Sequence, residues 1–210
     1  MLRRETVETK LMDVLDVLME NKELKNLRLV GGTALALQLG HRNSVDIDLF
    51  GNHKHASDYL DLIISKILNV QSQKGSRDIR AYMTDGIKID IVRYHYPWLD
   101  REVLIDGIRM ASIRDIAAMK VAAITNRGSK KDFIDLYVLL DHFTLSEILV
   151  LYQQKISDSN EWLALKSISY FDDADQQPMP KLFIDISWQE IKDRIISAAN
   201  DIGGFSSLPG

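Results

Sequence analysis

Three aspartates lie in two segments that otherwise have the pattern of β-strands. Asp46 and Asp48 are one residue apart in "SVDIDLF" (44–50), and Asp90 lies among isoleucines in "IKIDIVRY" (87–94). Because side chains alternate between the faces of a strand, Asp46 and Asp48 share one face. Close carboxylates repel each other unless a cation compensates them, and hard divalent ions prefer oxygen ligands. Taken alone, the pair also fits an ordinary exposed acidic strand face.

The third carboxylate favours the metal-binding interpretation, because the strand that carries Asp90 is apolar enough to be central in a sheet. The expected apolar faces consist of Val45, Ile47 and Leu49 in the first strand and Ile87, Ile89 and Ile91 in the second. If the strands are neighbours, Asp46, Asp48 and Asp90 converge on the side away from the core, where two Mg²⁺ ions can bridge them. Two-metal sites of this kind serve phosphoryl and nucleotidyl transfer. We therefore predict that all three aspartates bind metal and are catalytic.

A glycine pair upstream of these aspartates can cradle phosphates. Gly31 and Gly32 allow the backbone to approach an anion closely, and a helix that begins near Thr33 directs free N–H groups and a hydroxyl toward it. The alternative is an ordinary turn in which Thr33 caps the helix. We predict that Gly31, Gly32 and Thr33 bind nucleotide.

Lys120 interrupts the apolar face of a predicted helix over residues 112–125. That face is formed by Ile113, Ile116, Ala117 and Ile124. Either the lysine stem packs while its ammonium reaches water, or the ammonium meets an anion in a cleft. Beside three aspartates and a glycine turn, we favour a ligand phosphate, and predict a catalytic and nucleotide-binding role for Lys120.

The next predicted helix, "KKDFIDLYVLL" (130–140), carries the last candidate residues. It is expected to bury Phe133, Leu136, Tyr137 and Leu140 and to leave Asp132 and Asp135 together on another side. The positive end of the helix dipole accounts for acidic residues in a first turn, and nucleotide binding is the alternative. Nearby, Arg127, Lys130 and Lys131 can neutralise the two aspartates or bind nucleic acid.

Two smaller groups of residues leave alternatives open. His53 and His55 can contribute to a metal site, although a polar loop explains them more simply. Tyr94, Tyr96 and Trp98 can stack on a base or pack at the end of a hairpin.

The elements that position these residues divide the chain into a strand-rich half and a helical half. Thr84-Asp85-Gly86 predicts a tight hairpin between "RDIRAYM" and "IKIDIVRY". Helices are expected over 6–22, 57–68, 112–125, 131–140, 145–155, 161–168 and 188–199, strands over 27–30, 44–50 and within 67–73, a short extended segment over 102–106, and a loop over 171–180. We predict an α+β fold, with a core over residues 1–110 and a helical lobe over 111–210.

Composition excludes several classes of protein. The chain has 210 residues and no cysteine, which rules out disulfides and thiolate zinc sites. No apolar run is long enough to cross a membrane, and the charged N-terminus is unlike a signal peptide, so we expect a cytoplasmic protein. A net charge of −4 argues against indiscriminate coating of nucleic acid. From Arg101 to Lys131, however, seven Lys or Arg face three Asp or Glu, which is either an anion site or a solvated basic surface.

Three segments taken together resemble the AbiEii/AbiGii toxin family, a branch of the nucleotidyltransferase superfamily that includes polymerase beta. They are "GGTALALQLGHRNSVDIDLF", "IKIDIVRY" and "SIRDIAAMKVAAITNRGSKKDFIDLYVLL". The likeness spans roughly Leu27 to Leu140, and the order and spacing of the motifs make it specific. It implies a small mixed sheet flanked by helices, followed by a helical C-terminal lobe.

The resemblance also implies roles for individual residues. Gly32 and Thr33 would bind triphosphate, although the superfamily usually has Gly-Ser at this point. Asp46 and Asp48 would hold Mg²⁺, and Asp90 would complete the metal site and help to deprotonate the acceptor hydroxyl. Lys120 is similar to the family's phosphate-binding lysine, and Asp132 or Asp135 to its late aspartate.

The function that follows is a Mg²⁺-dependent nucleotidyltransferase that moves NMP from an NTP to a hydroxyl. The resemblance implies an RNA acceptor such as a tRNA 3′ end, and an antitoxin as protein partner. One alternative is a catalytically inactive module of the same fold that binds a nucleotide or a partner. A metal-dependent phosphohydrolase is the other, but such enzymes usually add histidine ligands, and the five histidines here lack that placement.

Overall fold

The computed structural model describes residues 1–53 and 56–203. The chain divides into two compact units. We call Met1–Tyr96 with Arg101–Ser112 the sheet unit, and Pro97–Asp100 with Ile113–Gly210 the helical unit. No helix in the described ranges is both long enough and apolar enough to cross a membrane.

The sheet unit contains one seven-stranded mixed sheet with three α-helices. Its elements are α1 (Thr9–Glu20), β1 (Leu27–Leu29), α2 (Gly31–Leu39), β2 (Asp46–Gly51), α3 (Ser57–Ile67), β3 (Val70–Gly75), β4 (Ile79–Thr84), β5 (Ile87–Arg93), β6 (Val103–Ile105) and β7 (Ile108–Met110), with 3-10 turns at Arg4–Thr6 and Lys22–Leu24. The strand order is β3-β4-β5-β2-β1-β7-β6. The pairs β2–β5 and β1–β7 are parallel, and the other pairs are antiparallel. The predicted α+β fold with a mixed sheet flanked by helices is confirmed.

The two aspartate-bearing strands, β2 and β5, are neighbours near the middle of the sheet, which meets the condition stated for the aspartates to converge. In β2, Ile47 and Leu49 are buried, and all three isoleucines of β5 are buried as well. Val45 is an exception, because it precedes β2 and is exposed. The apolar face of β2 therefore starts at Ile47.

Two Asp-Gly turns close hairpins in this unit. Asp85 and Gly86 have φ of 51° and 82° and join β4 to β5, which confirms the predicted hairpin. Asp106 and Gly107 have the same pair of φ values and join β6 to β7. The sequence reading identified β6 as an extended segment but missed β7.

The helical unit packs around one central helix. Its helices are α4 (Ile113–Asn126), α5 (Lys130–Leu139), α6 (Leu145–Lys155), α7 (Glu161–Ile168), α8 (Asp172–Asp175) and α9 (Trp188–Gly203). Helix α4 contacts α5, α6 and α7. Five of the helices were predicted to within a few residues, but α8 lies where a loop was expected. A Thr144–Glu147 capping box marks the start of α6.

Candidate active site

Strands β2 and β5 bring the three sheet aspartates to one face. The strands are parallel, with Asp48 opposite Asp90 and Asp46 opposite Lys88 in the register. Register partners on adjacent strands point to the same side of a sheet. Asp46, Asp48, Asp90 and Lys88 therefore share the face opposite the buried isoleucines, and the three carboxylates are half-buried.

Lys88 supplies a positive charge within this acidic group. Its Nζ lies 2.5 Å from Oδ2 of Asp90, and the two side chains are 46% and 21% exposed. The hydrogen bond to Asp90 raises the pKa of Lys88 against the opposing effect of burial, and the charges of Asp90, Asp48 and Asp46 raise it further. One ammonium thus interacts with all three carboxylates. The sequence reading missed Lys88, although strand alternation places it on the face of Asp90.

The donor chemistry of this face fits a hard divalent cation. Three carboxylates offer oxygen ligands, and an ammonium already partly balances their charge. Within residues 1–53 and 56–203, no three His, Asp or Glu side chains are gathered closely enough to hold a metal ion. The Asp90 carboxylate instead meets Lys88, and an Asp48 oxygen lies against Gly31. The three aspartates have the ligand type that a divalent metal prefers and lie on the same face of the sheet. Their carboxylates must turn toward each other to bind one ion together.

The start of α2 lies over the Asp48 carboxylate. The Val30 N–H donates to the Asp48 carbonyl at 2.9 Å, and α2 begins at the next residue. Gly31 has φ of +68°, and a Cβ there would lie 2.5 Å from Oδ2 of Asp48. Glycine is therefore required for its conformation and for the close approach. Helix N-termini present free N–H groups and positive partial charge, which suits an anion.

Thr33 connects α2 to the beginning of β2. Its buried hydroxyl lies 2.8 Å from the Ser44 hydroxyl and donates to the backbone carbonyl of Asp46. The capping alternative is wrong, because Val30 occupies the N-cap of α2 and no side chain caps the helix. The hydroxyl expected to face an anion instead holds Asp46 in place relative to α2.

Arg42 is a second basic residue that the sequence reading missed. It is buried, and Nη1 donates to the Asn43 carbonyl at 2.9 Å. A Cβ at Gly32 would lie 2.2 Å from Nη2 of Arg42, so the guanidinium packs directly against the first turn of α2. The available signal was an arginine four residues before Asp46 in "GHRNSVDID".

In the helical unit, Lys120 lies between two aspartates. Its Nζ is 3.0 Å from Oδ1 of Asp132 and 2.6 Å from Oδ2 of Asp135, and these side chains are only 5%, 1% and 0% exposed. The ammonium does not reach water, so the first alternative for Lys120 is wrong. Asp132 and Asp135 lie together on one side of α5, where both face Lys120, but this side is buried like nearly every other side of the helix.

Asp132 also interacts with the loop before α5. Arg127 Nε lies 2.9 Å from Asp132 Oδ2, and the Ser129 hydroxyl donates to the same oxygen at 2.6 Å. Burial alone would raise the pKa of Asp132, but the charge of Lys120, together with the hydrogen bonds and charge from Arg127 and Ser129, lowers it to about 2. Asp132 is therefore a carboxylate at neutral pH.

Sequence comparison places the chain in a known family. Residues 13–206 match the family described as nucleotidyl transferase AbiEii toxin, type IV toxin–antitoxin system. The chain belongs to this family. It is accordingly a nucleotidyltransferase, and the predicted family is confirmed.

Three individual proteins are also similar to the chain. An uncharacterized protein of Aquifex aeolicus is 35% identical over 173 residues, which cover 79% of this chain and 82% of that protein. A solved structure from H. pylori, assigned as a nucleotidyltransferase, matches with a TM-score of 0.60 and 22% identity over 93% of this chain and 92% of its own. The nucleotidyltransferase toxin MenT4 of Mycobacterium tuberculosis matches with a TM-score of 0.52 and 14% identity over 92% and 82%. At these identities the two structures support the fold.

Most basic residues from Arg101 to Lys131 in this AbiEii-family enzyme contact groups of the protein, although four of the seven are exposed. Arg109 donates to three backbone carbonyls of the sheet unit, and Arg127 pairs with an aspartate. Lys130 is buried, with Nζ 4.9 Å from the centre of a tryptophan ring. Arg101 and Lys131 are exposed. Most of the local charge therefore neutralises or binds groups within the protein.

The aromatic residues after β5 pack against protein groups. Tyr94 lies 5.4 Å from the ring of Phe50 and 5.5 Å from that of Tyr96. This arrangement agrees with the packing alternative. Of the two histidines considered as metal ligands, His53 is buried and His55 lies outside the described residues.

The helical unit also contains a concave space of about 920 Å³. Ile124, Arg127, Trp162, Tyr170 and Ile196 are among the residues that line it. None of the predicted site residues lines this space. The proposed chemistry of the carboxylates therefore does not rest on it.

Proposed function

We propose that this nucleotidyltransferase moves NMP from an NTP to a hydroxyl of RNA, such as a tRNA 3′ end, in a Mg²⁺-dependent reaction. One observation carries the proposal: Asp48 and Asp90 are register partners on neighbouring parallel strands, and the start of α2 at Gly31 lies over Asp48. Carboxylates beside an anion-binding helix end are what a metal–triphosphate complex needs. We further propose that the protein acts in the cytoplasm as a toxin restrained by an antitoxin.

In this proposal the carboxylates have separate tasks. Asp46 and Asp48 would hold Mg²⁺, and Asp90 would be the third ligand and accept the proton of the acceptor hydroxyl. The hydroxyl oxygen forms a bond to the α-phosphorus, the bond between the α-phosphorus and its bridging oxygen breaks, and pyrophosphate leaves. Two bound Mg²⁺ ions would supply positive charge that stabilises the triphosphate and the leaving group.

The basic and glycine-rich groups bind phosphate in the same proposal. The backbone N–H groups of Gly31, Gly32 and Thr33 donate hydrogen bonds to phosphate oxygens at the start of α2. Arg42 adds a fixed positive charge against Gly32. In the helical unit, Lys120 remains our candidate phosphate ligand, and Asp132 and Asp135 position its ammonium.

Nucleotide transfer to RNA tests the proposal directly. The purified protein is incubated with each α-labelled NTP, Mg²⁺ and total tRNA, and RNA-bound label is measured. Asp48→Asn should reduce transfer by at least about 100-fold, because a metal ligand is lost. Asp85→Asn is the matched control, because Asp85 is an exposed turn residue whose positive φ suits asparagine.

Two results would contradict the proposal. One is equal labelling of RNA by the wild type and Asp48→Asn. The other is no labelled RNA with any NTP, which would favour an inactive binding module. Chelation of Mg²⁺ with EDTA should abolish transfer and provides a second check.

A further inference from the structure

Lys88 is a basic residue on the same face of the sheet as Asp46, Asp48 and Asp90. In the register it lies opposite Asp46, and its Nζ lies 2.5 Å from Oδ2 of Asp90. The proposed metal ligands therefore include one carboxylate that is already paired with an internal cation.

A divalent cation bound by these carboxylates would meet the ammonium of Lys88 at Asp90. That cation and the ammonium would lie within a few ångströms of each other if both contacted Asp90, and like charges at that distance repel. Binding of a metal at Asp90 is thus coupled to displacement of Lys88.

We propose that Lys88 is a built-in counter-cation of the carboxylate group: it positions Asp90 when no metal is bound and competes with the divalent metal for that carboxylate. This inference rests on the proposed metal site. Lys88 is a positioning residue in this scheme, because it acts on the reaction through Asp90.

The structure gives Lys88 the freedom that this role requires. Its side chain is 46% exposed, so the ammonium can return to water on its flexible stem. Exposed ion pairs are also weak and are easily exchanged. The buried lysine of the helical unit, Lys120, is only 5% exposed and lacks this freedom.

Metal affinity is the measurement that tests the inference. Mn²⁺ is titrated into the full-length protein, and free Mn²⁺ is followed by electron paramagnetic resonance. Lys88→Met should bind Mn²⁺ about tenfold more tightly than the wild type, because repulsion between a monovalent and a divalent cation is removed. Lys88→Arg keeps the charge and should remain within about twofold of the wild type.

Lys74→Met is the matched control. Lys74 is an exposed lysine on β3, and its register partner is Ala81. The same net charge change there should leave the Kd for Mn²⁺ unchanged. Tighter binding in Lys88→Met alone supports the inference. The inference is overturned if all variants bind Mn²⁺ with equal affinity, or if Lys88→Met binds it more weakly than the wild type. It is also overturned if Lys74→Met gains as much affinity as Lys88→Met, or if none of the proteins binds Mn²⁺.

The transfer assay separates this inference from the proposed function. If the affinity for Mn²⁺ depends on Lys88 but no nucleotide is transferred to RNA, the inference on Lys88 stands and the proposed reaction is refuted. If nucleotide is transferred but Lys88→Met binds Mn²⁺ with the wild-type affinity, the proposed reaction stands and the inference on Lys88 is refuted.

Discussion

Lys120→Met removes the central charge of the buried cluster in the helical unit. The ammonium lies 3.0 Å from Asp132 and 2.6 Å from Asp135, and all three side chains are at least 95% buried. Removing one partner of a buried ion pair typically costs about 3–5 kcal/mol, because the remaining charge stays in a low-dielectric environment. Asp132 keeps its contacts with Arg127 and Ser129, so we expect the lower end, about 3 kcal/mol.

Tryptophan fluorescence provides a selective assay for this effect. All three tryptophans, at positions 98, 162 and 188, belong to the helical unit. Urea unfolding followed by fluorescence therefore reports on that unit. With an m-value of about 1.5 kcal/mol/M, a loss of about 3 kcal/mol lowers the urea midpoint by about 2 M.

Two further variants test the cause of the loss. Lys120→Met combined with Asp135→Asn should recover at least about 1 kcal/mol relative to Lys120→Met alone, because one buried charge is removed with its partner. Lys131→Met changes an exposed lysine of α5, the helix that carries Asp135, and should alter stability by less than about 0.5 kcal/mol. A wild-type urea midpoint for Lys120→Met would refute the reasoning and leave ligand binding as the role of Lys120.

Three other predictions follow from single contacts. The pKa of Asp132 is lowered to about 2 in the folded state. Its ionisation therefore contributes about 2 kcal/mol to the free energy of unfolding above pH 4, and this contribution is lost as the pH falls toward 2. Urea midpoints at pH 5 and pH 3 should differ less in Asp132→Asn than in the wild type. Gly31→Ala should reduce RNA labelling at least about tenfold, since its Cβ would displace Asp48, with a stability loss of only about 1–2 kcal/mol by circular dichroism; full activity would contradict this. Lys155→Met breaks a fully buried pair with Asp115 at 2.7 Å and a bond to the Pro97 carbonyl, and should cost about 3–5 kcal/mol and expose residues 97–100 to protease; unchanged cleavage there would contradict this.

Local signals predicted the elements that are long or have specific turn chemistry. The β4–β5 hairpin was predictable because Asp85 and Gly86 adopt positive φ, and the flanking runs alternate over six and seven residues. The same dipeptide before β7 was overlooked, because strands of three residues are too short to show alternation. Helix α8 has four residues, and its acidic sequence resembles a loop.

Alternation also predicted the shared face of the sheet aspartates, because β2 and β5 are regular neighbours. The burial of Asp132 and Asp135, in contrast, was not visible in the sequence. A charged residue is normally assigned to a solvent-exposed face, but these two are buried because Lys120 on α4 and Arg127 beyond its end meet them. Partners on another element are not visible in the periodicity of α5, so the local pattern could not predict this burial.

The charges of the two acidic groups favour different roles for them. In the helical unit, Asp132 and Asp135 are matched by Lys120 and Arg127, and both carboxylates are almost completely buried. A divalent ion there would have to displace a buried ammonium, which is costly. In the sheet unit, the carboxylates of Asp46, Asp48 and Asp90 are half-buried, and the ammonium of Lys88 that pairs with Asp90 is half-exposed. Of these two groups, the sheet group is the one whose ammonium can move into water when a metal arrives, which agrees with our proposal that divalent metal binds at the sheet.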